Sequence, residues 1–386
     1  IVRTRVDTDT LIGNALIEVY GIQGYLVEGY NTFHRLIRKN TDSWNALIGG
    51  YAVNGHSLYV IELFDEMQRQ GFVVNGVIYL HLLKACSNAW ETDKAREVHG
   101  QIMRSGLESD GLIGSSLIDM YAKQNFLEEA RKVFDELPDK DVVSWGALLS
   151  AYAEHGQCSC ACELYDEMLL EGIKPDKAIL LCILKACGIT GSLKQGRDVH
   201  HEVIRCELES DLSIGNTIID MYAKCGSLDE ASKIFDRLPH QDEVSWAALI
   251  GGYGRHGYCN EVGRFIDAMK EHGIRPRISI FTTLLAACSH TGELDHSVVY
   301  FNTMLEFGID PAMEHYSCMA DLICRKGYLN EAKDVLQSMP IPPDGVVWMS
   351  MLTGCKTYGE MECGGDCFDY VNQMDVRDVN MWRELP

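Results

Sequence analysis

The chain has 386 residues and a net charge of −22, from 34 basic against 56 acidic side chains. That balance argues against non-specific polyanion binding as the main activity, because such binding needs a diffuse positive field. Length alone allows two or three globular domains, and no apolar run is long enough for a membrane span or a secretory leader. No membrane partner is expected. Ile1 is not an initiator Met, and Ile1–Asp9 reads as the end of a truncated repeat, so a fragment or a processed chain is expected.

In chain order, the first complete piece is Thr10–Asn40. It recurs as Gly111–Asp141, GLIGSSLIDMYAKQNFLEEARKVFDELPDKD, and as Leu212–Asp242, LSIGNTIIDMYAKCGSLDEASKIFDRLPHQD, each time 101 residues further on. Thr41–Asn75, Val142–Asp176 and Glu243–Arg277 follow, each with an early Ser-Trp pair: Ser43-Trp44, Ser144-Trp145, Ser245-Trp246. Gly76–Asp110, Lys177–Asp211 and Ile278–Ala312 carry LLKAC, ILKAC or LLAAC. Met313–Asp344 resembles the 31-residue type with one extra residue, Gly345–Asp378 follows it, and Val379–Pro386 is a stub. A fixed period of this kind overrides the domain count that length suggests.

Each piece reads as two helices. In Leu212–Asp242, Ile218, Ile219 and Tyr222 are spaced for one helical face. Cys225-Gly226-Ser227 ends that helix, and Ser227 followed by Glu230 predicts a capping box for the next. A second helix over Leu228–Arg237 places Leu228, Ala231, Ile234 and Phe235 inward, and Leu238-Pro239 stops it. One such hairpin cannot bury its apolar face alone, so neighbours must stack. The expected fold is an all-α, right-handed superhelical solenoid of helix-turn-helix repeats, with Trp44, Trp145, Trp246 and Trp348 in the core. Of the 15 Cys, Cys86, Cys187 and Cys288 close equivalent apolar helices. They read as buried thiols of a reducing compartment.

The alternating lengths, SLIDMYAK, VSWGALLSAYAEHG, LLKAC and the AxxxFDxLP endings together resemble the pentatricopeptide repeat family, over Thr10 to Asp378. They are most similar to its plant organellar subclass, in which short, normal and long repeats rotate. HYSCMADLICRKGYLNEAKDVLQSMPIPPDGVVWMSMLTGC resembles the closing repeat and following extension of RNA-editing factors. The resemblance implies binding of single-stranded RNA in a mitochondrion or chloroplast. It also implies marking of a cytidine for conversion to uridine, with a deaminase acting in trans as a possible partner. The regular 34-residue tetratricopeptide period does not fit this rotation.

By resemblance, the fifth and last residues of each repeat read one base. A carboxylate only accepts hydrogen bonds and suits the imino N–H of uracil or guanine; an Asn amide can donate and suits cytosine or adenine. Asn at the fifth position implies a pyrimidine, and Ser or Thr a purine. Asn14 with Asn40, and Asn45 with Asn75, therefore imply cytosine. Ser115 with Asp141 implies guanine, Asn216 with Asp242 uracil, and Ser317 with Asp344 guanine. Leu80 with Asp110 and Leu181 with Asp211 imply no clean choice. Gly146 with Asp176, Ala247 with Arg277 and Thr282 with Ala312 depart from the usual pairs. The implied target is CC-x-G-xx-U-xx-G, 5′ to 3′. The competing reading is structural, since Asn, Ser and Asp are also good helix caps.

The second residue is an apolar wedge between bases in the family. Leu11, Val77, Leu112, Val143, Ala178 and Val244 comply; Asp42, Ser213, Ser279 and Glu314 do not. Lys123, Lys224, Arg255 and Arg325 occupy the thirteenth position, about two turns beyond the fifth and ~80° round the helix. They are candidates for phosphate contact, or else solvated cations favoured by the helix dipole.

A zinc deaminase needs His-x-Glu followed by Pro-Cys-x-x-Cys. His200-His201-Glu202 has the first spacing, but no Pro-Cys-x-x-Cys follows it in the chain. Cys158, Cys160 and Cys162 alternate too closely for one helical face, and Cys363 and Cys367 have helical spacing without a partner His nearby. No phosphate loop or nucleophile elbow is convincing. The chain is therefore expected to hold no metal or other cofactor, to act on no small-molecule substrate and not to be an enzyme. A protein-binding scaffold and an RNA stabilisation or splicing factor are the other functional readings.

Overall fold

A computed structural model describes residues 10–340, 343, 345–361, 363–368 and 370. Among them there are helices and turns but no strand, and no helix is long and apolar enough to cross a membrane. The chain divides into two compact units, Ile1–Ala186 and Cys187–Pro386. In the first, α1 (Thr10–Ile22) pairs with α2 (Leu26–Arg35), α3 (Thr41–Val53) with α4 (Ser57–Arg69), and α5 (Gly76–Ala89) with α6 (Thr92–Ser105). Next come α7 (Gly111–Lys123) with α8 (Leu127–Glu136), α9 (Val142–Glu154) with α10 (Cys158–Leu170), and α11 (Lys177–Thr190), which runs into the second unit. The second unit holds α12 (Leu193–Arg205), α13 (Leu212–Lys224) with α14 (Leu228–Arg237), and α15 (Glu243–Arg255) with α16 (Cys259–Glu271). After these come α17 (Ile278–Thr291) with α18 (Leu294–Glu306), α19 (Met313–Arg325) with α20 (Leu329–Gln337), and α21 (Gly345–Tyr358).

Within each unit the stacking follows one rule. An odd-numbered helix lies against its own partner and against the next odd-numbered helix: α1 on α3, α3 on α5, α5 on α7, then α13 on α15, α15 on α17 and α17 on α19. Each unit is therefore a two-layer stack of hairpins, with the odd helices side by side in one layer.

The expected tryptophans are what join hairpin to hairpin. Trp44 meets Phe33 edge-on at 4.6 Å, Trp145 meets Phe134 at 4.7 Å and Trp246 meets Phe235 at 4.7 Å. Each contact ties an even helix to the start of the next odd one, and Trp44, Trp145, Trp246 and Trp348 are all buried. Cys86, Cys187 and Cys288 are buried as well, and no disulfide joins the described cysteines. Ile218, Ile219, Tyr222, Ala231 and Phe235 face inward as their spacing predicts, while Leu228 and Ile234 are half-buried. Burying a large apolar side chain of this kind contributes about 1.5–3 kcal/mol.

Gly226 turns between α13 and α14 at φ +79°, in the left-handed region that glycine enters at no steric cost. Asn125, at the same repeat position 101 residues earlier, has φ +63°; Asn is among the few other residues that tolerate it. Ser227 departs from expectation. It makes no side-chain cap on α14. Its hydroxyl donates to Glu230 Oε2 at 2.6 Å instead, and Arg197 holds the other carboxylate oxygen at 2.8 Å. The charged acceptor draws the hydroxyl proton more strongly than a cap needs the oxygen.

Candidate nucleic-acid interface

The last residue of a repeat is the N-cap of the following odd helix. Asn40 accepts from Ser43 N at 2.9 Å, Asn75 from Ile78 N at 3.1 Å, Asp141 from Ser144 N at 2.8 Å and Asp242 from Ser245 N at 2.8 Å. Asp110, Asp176 and Asp211 cap in the same way. Capping is thus a real duty of these residues, and its atoms matter. On Asp242, the Ser245 N–H, the Ser245 hydroxyl (2.8 Å) and the Asn216 amide (3.1 Å) all donate to Oδ1. None of the three uses Oδ2. On Asn40 the same three kinds of donor, from Ser43 and Asn14, converge on Oδ1, while Nδ2 donates to Asp42 at 3.3 Å. The cap therefore clamps one side-chain atom and fixes the direction of the other.

Burial alone would raise the Asp242 carboxyl pKa, but the Ser245 N–H and hydroxyl and the Asn216 amide hold it below its ordinary value. It remains an acceptor at neutral pH.

The fifth-position residues sit deeper than the last ones. Asn14 and Asn45 are half-buried; Asn216 is 8% exposed and Ser115 7%. The Ser245 hydroxyl has one proton, which Asp242 Oδ1 shares with the closer Asn216 Oδ1, 2.6 Å away. Ser115 donates back to Gly111 O at 2.7 Å, and Ser317 to Met313 O at 2.8 Å. The Oδ1 atoms of Asn14 and Asn45 are buried without a hydrogen-bond partner. Both side chains line a groove of about 410 Å³ with Asp42, Val77 and His81. Partial burial, with Lys84 nearby, lowers the pKa of the His81 imidazole. Asp344 lies outside the described residues.

The second-position residues stand out in solvent. Leu11 is 79% exposed, and Val77, Leu112, Val143, Ala178 and Val244 are exposed too. Each stands on an odd helix, about one turn before the fifth-position residue of its own repeat.

The thirteenth-position cations are already paired. Lys123 meets Asp119 at 2.8 Å and Lys224 meets Asp220 at 2.6 Å. Arg255 reaches the same Asp220 from the next hairpin at 3.5 Å, and Arg325 is ion-paired with Asp321. Arg277, which stands where most repeats end in Asp or Asn, is ion-paired with Glu243 at 2.6 Å. Sequence reading missed these aspartates, although Asp119, Asp220 and Asp321 lie four residues before their partners, a helical ion-pair spacing.

His200 donates or accepts at Tyr222 Oη, 3.0 Å away, and its pKa is lowered by burial. His99 makes the same contact with Tyr121 at 2.9 Å. His200-His201-Glu202 is thus a hairpin-joining element of the repeat. The pairing of Cys363 with Cys367 was legible from spacing, but the fold adds Cys355 to them, a third soft donor that spacing alone did not supply.

Helical hairpins in series, with capped repeat ends and exposed apolar side chains on several odd helices, define a helical-repeat protein. The chain belongs to the pentatricopeptide repeat family. The model described as the pentacotripeptide-repeat region of PRORP matches residues 54–222. The pentatricopeptide repeat itself matches residues 216–241, 244–274 and 314–340. A pentatricopeptide repeat-containing protein of Arabidopsis thaliana, named as mitochondrial, is 34% identical over 92% of this chain and 55% of its own length. A second, also named as mitochondrial, is 32% identical over 98% of this chain and 68% of its own length. The chain spans about half to two thirds of the length of the curated relatives it matches. Among solved structures, it is similar to the maize pentatricopeptide repeat protein PPR10, with a TM-score of 0.66 at 19% identity over 95% of this chain and 54% of that one. PPR10 in complex with an 18-nt psaJ RNA element gives a TM-score of 0.74 at 20% identity, over 95% of this chain and 56% of that one. These structures share the fold.

Proposed function

We propose that this chain recognises single-stranded RNA sequence-specifically, one nucleotide per hairpin, as a specificity factor for C-to-U editing in plant mitochondria. The observation that carries the reading is the clamp on Asp242 Oδ1, repeated at Asn40. A carboxylate held this way offers Oδ2 to an imino N–H; an amide held this way offers Nδ2 to a ring nitrogen. The exposed residues Leu11, Val77, Leu112, Val143 and Val244 fit between successive bases. The RNA-bound state of PPR10 and the mitochondrial names of several relatives support partner and compartment. The rotation of short, normal and long repeats and the extension from Gly345 support the editing role.

A second reading, a protein-binding scaffold, is favoured by one set of observations: the net charge of −22 and the pairing of Lys123, Lys224, Arg255 and Arg325 with aspartates. A pull-down separates the two. Immobilised chain is offered RNA carrying the implied pattern, scrambled RNA and organellar protein extract. Retention of the patterned RNA over the scrambled one supports the proposal; retention of protein with no preference between the RNAs overturns it.

A further inference from the structure

Cys355 lies in α21, and Cys363 and Cys367 lie one turn apart on the helical residues 363–368 that follow it. Their three sulfurs are within 4.8 Å of one another, and all three side chains are buried. The second segment is fixed in place from two sides. Asp366 is ion-paired with Lys333 of α20 at 2.5 Å, and Tyr370 stacks on Trp348 with ring centres 4.6 Å apart. Cys324 of α19 is buried beside this cluster, its Sγ 2.9 Å from the thioether of Met351.

Repeat register separates these thiols from the others. Cys355 occupies the eleventh position of its piece, as Cys86, Cys187 and Cys288 do in theirs. Cys363 and Cys367 have no such counterparts: the equivalent positions hold Lys94, Gln195 and His296, and Val98, Val199 and Tyr300. Packing at those positions is met elsewhere without sulfur. Among the described residues, only the helical segment after Cys355 carries two thiols turned to the repeat-position cysteine.

We propose that Cys355, Cys363 and Cys367 form a binding site for a thiophilic d10 metal ion, Zn²⁺ or Cu⁺, that staples α21 to the segment after it. Thiolate and thioether donors select such ions. Zn²⁺ in structural sites prefers a fourth ligand beyond these three, whereas Cu⁺ is satisfied by the three. Binding replaces each coordinating S–H by an S–metal bond and releases its proton to solvent. Burial pushes the Cys355, Cys367 and Cys324 thiols up from their ordinary range. Without an ion the thiols therefore stay protonated, and the cation must displace protons. The Lys333 ammonium lies close enough for its charge to act on Cys363 and Cys367, which offsets the negative charge of a thiolate set.

The test uses the full 386-residue chain, reduced and freed of metal, titrated with Co²⁺ as a spectroscopic probe, with Zn²⁺, and with Cu⁺ against a competing chelator. The expected result is about one tight equivalent per chain with thiolate-to-metal charge transfer. Cys363→Ser and Cys367→Ser should each lose more than the roughly 100-fold that an outer-shell change costs; exposed Cys160→Ser should change nothing. Should a variant fail to fold, alkylation of the unsubstituted chain decides: metal must shield Cys355, Cys363 and Cys367 together. Zn²⁺ outcompeting Cu⁺, or the reverse, assigns the ion. No tight equivalent, binding indifferent to Cys363 and Cys367, or a cluster that only oxidises to a disulfide and takes no ion when reduced would each overturn the proposal.

Discussion

Asn216 donates its amide to Asp242 Oδ1 at 3.1 Å across 26 residues, joining the fifth residue of one repeat to the cap of the next helix. Asn14 and Asn40 are joined in the same way at 3.2 Å, 202 residues earlier in the chain. The pair links one base-reading candidate to another and passes through a group that also holds a helix start. Changing either member should therefore alter both RNA choice and stability.

For RNA choice, Asn216→Ser should move the preference at the seventh base from uracil to guanine, by roughly tenfold or about 1.4 kcal/mol. Asp242→Asn should move it from uracil toward cytosine, because an amide presents Nδ2 where the carboxylate presents Oδ2. Competition binding with oligonucleotides differing only at that base checks both. An unchanged preference in the two variants would show that the pair is a structural cap alone.

For stability, Asp242→Ala should cost about 1 kcal/mol, the usual value of an N-cap. The pH dependence has a definite sign. The folded carboxyl pKa is lowered, so its stabilisation is present above the unfolded value of about 3.9 and is lost as pH falls through the lowered folded value. Thermal unfolding followed from neutral to strongly acid pH should show a shallower acid decline for Asp242→Asn than for the parent.

The helical layout was legible because it repeats. Leu228–Arg237 is a helix with the bounds that its Gly226 start and Leu238-Pro239 stop imply, and the four tryptophans are core because they recur at a fixed register. What escaped were contacts between pieces. The Ser245 hydroxyl reaches back to Asn216, Asp220 serves Arg255 of the next hairpin as well as Lys224, and Cys355 meets thiols from another helix. Each depends on how two hairpins are juxtaposed, which residue spacing within one hairpin does not encode. Ser227 was misread for a local reason: a carboxylate with two partners outcompeted the cap.

Asp220 offers a charge test. It holds Lys224 at 2.6 Å and Arg255 at 3.5 Å, so Asp220→Asn should free two cations for phosphate. Affinity should rise at low salt, and the slope of log K against log salt should steepen by about one or two. The parent slope should be shallow. A parent releasing on the order of six or more ions would mean that phosphate contacts, not base contacts, dominate.

Trp145 tests the stacking. It is buried against Phe134 at 4.7 Å, and Trp145→Ala should destabilise the array by roughly 3–5 kcal/mol. Trp145→Phe should recover part of that loss by refilling the space. Urea unfolding of the three proteins gives the order; equal midpoints would place the hairpin-joining energy elsewhere.

The most direct measurement is selection from a randomised RNA pool by the purified chain, with the bound sequences read out. Enrichment of CC-x-G-xx-U-xx-G in that order and spacing is the predicted result. Enrichment of a different register, or a bound pool as random as the input, would contradict one-base-per-hairpin reading by these residues.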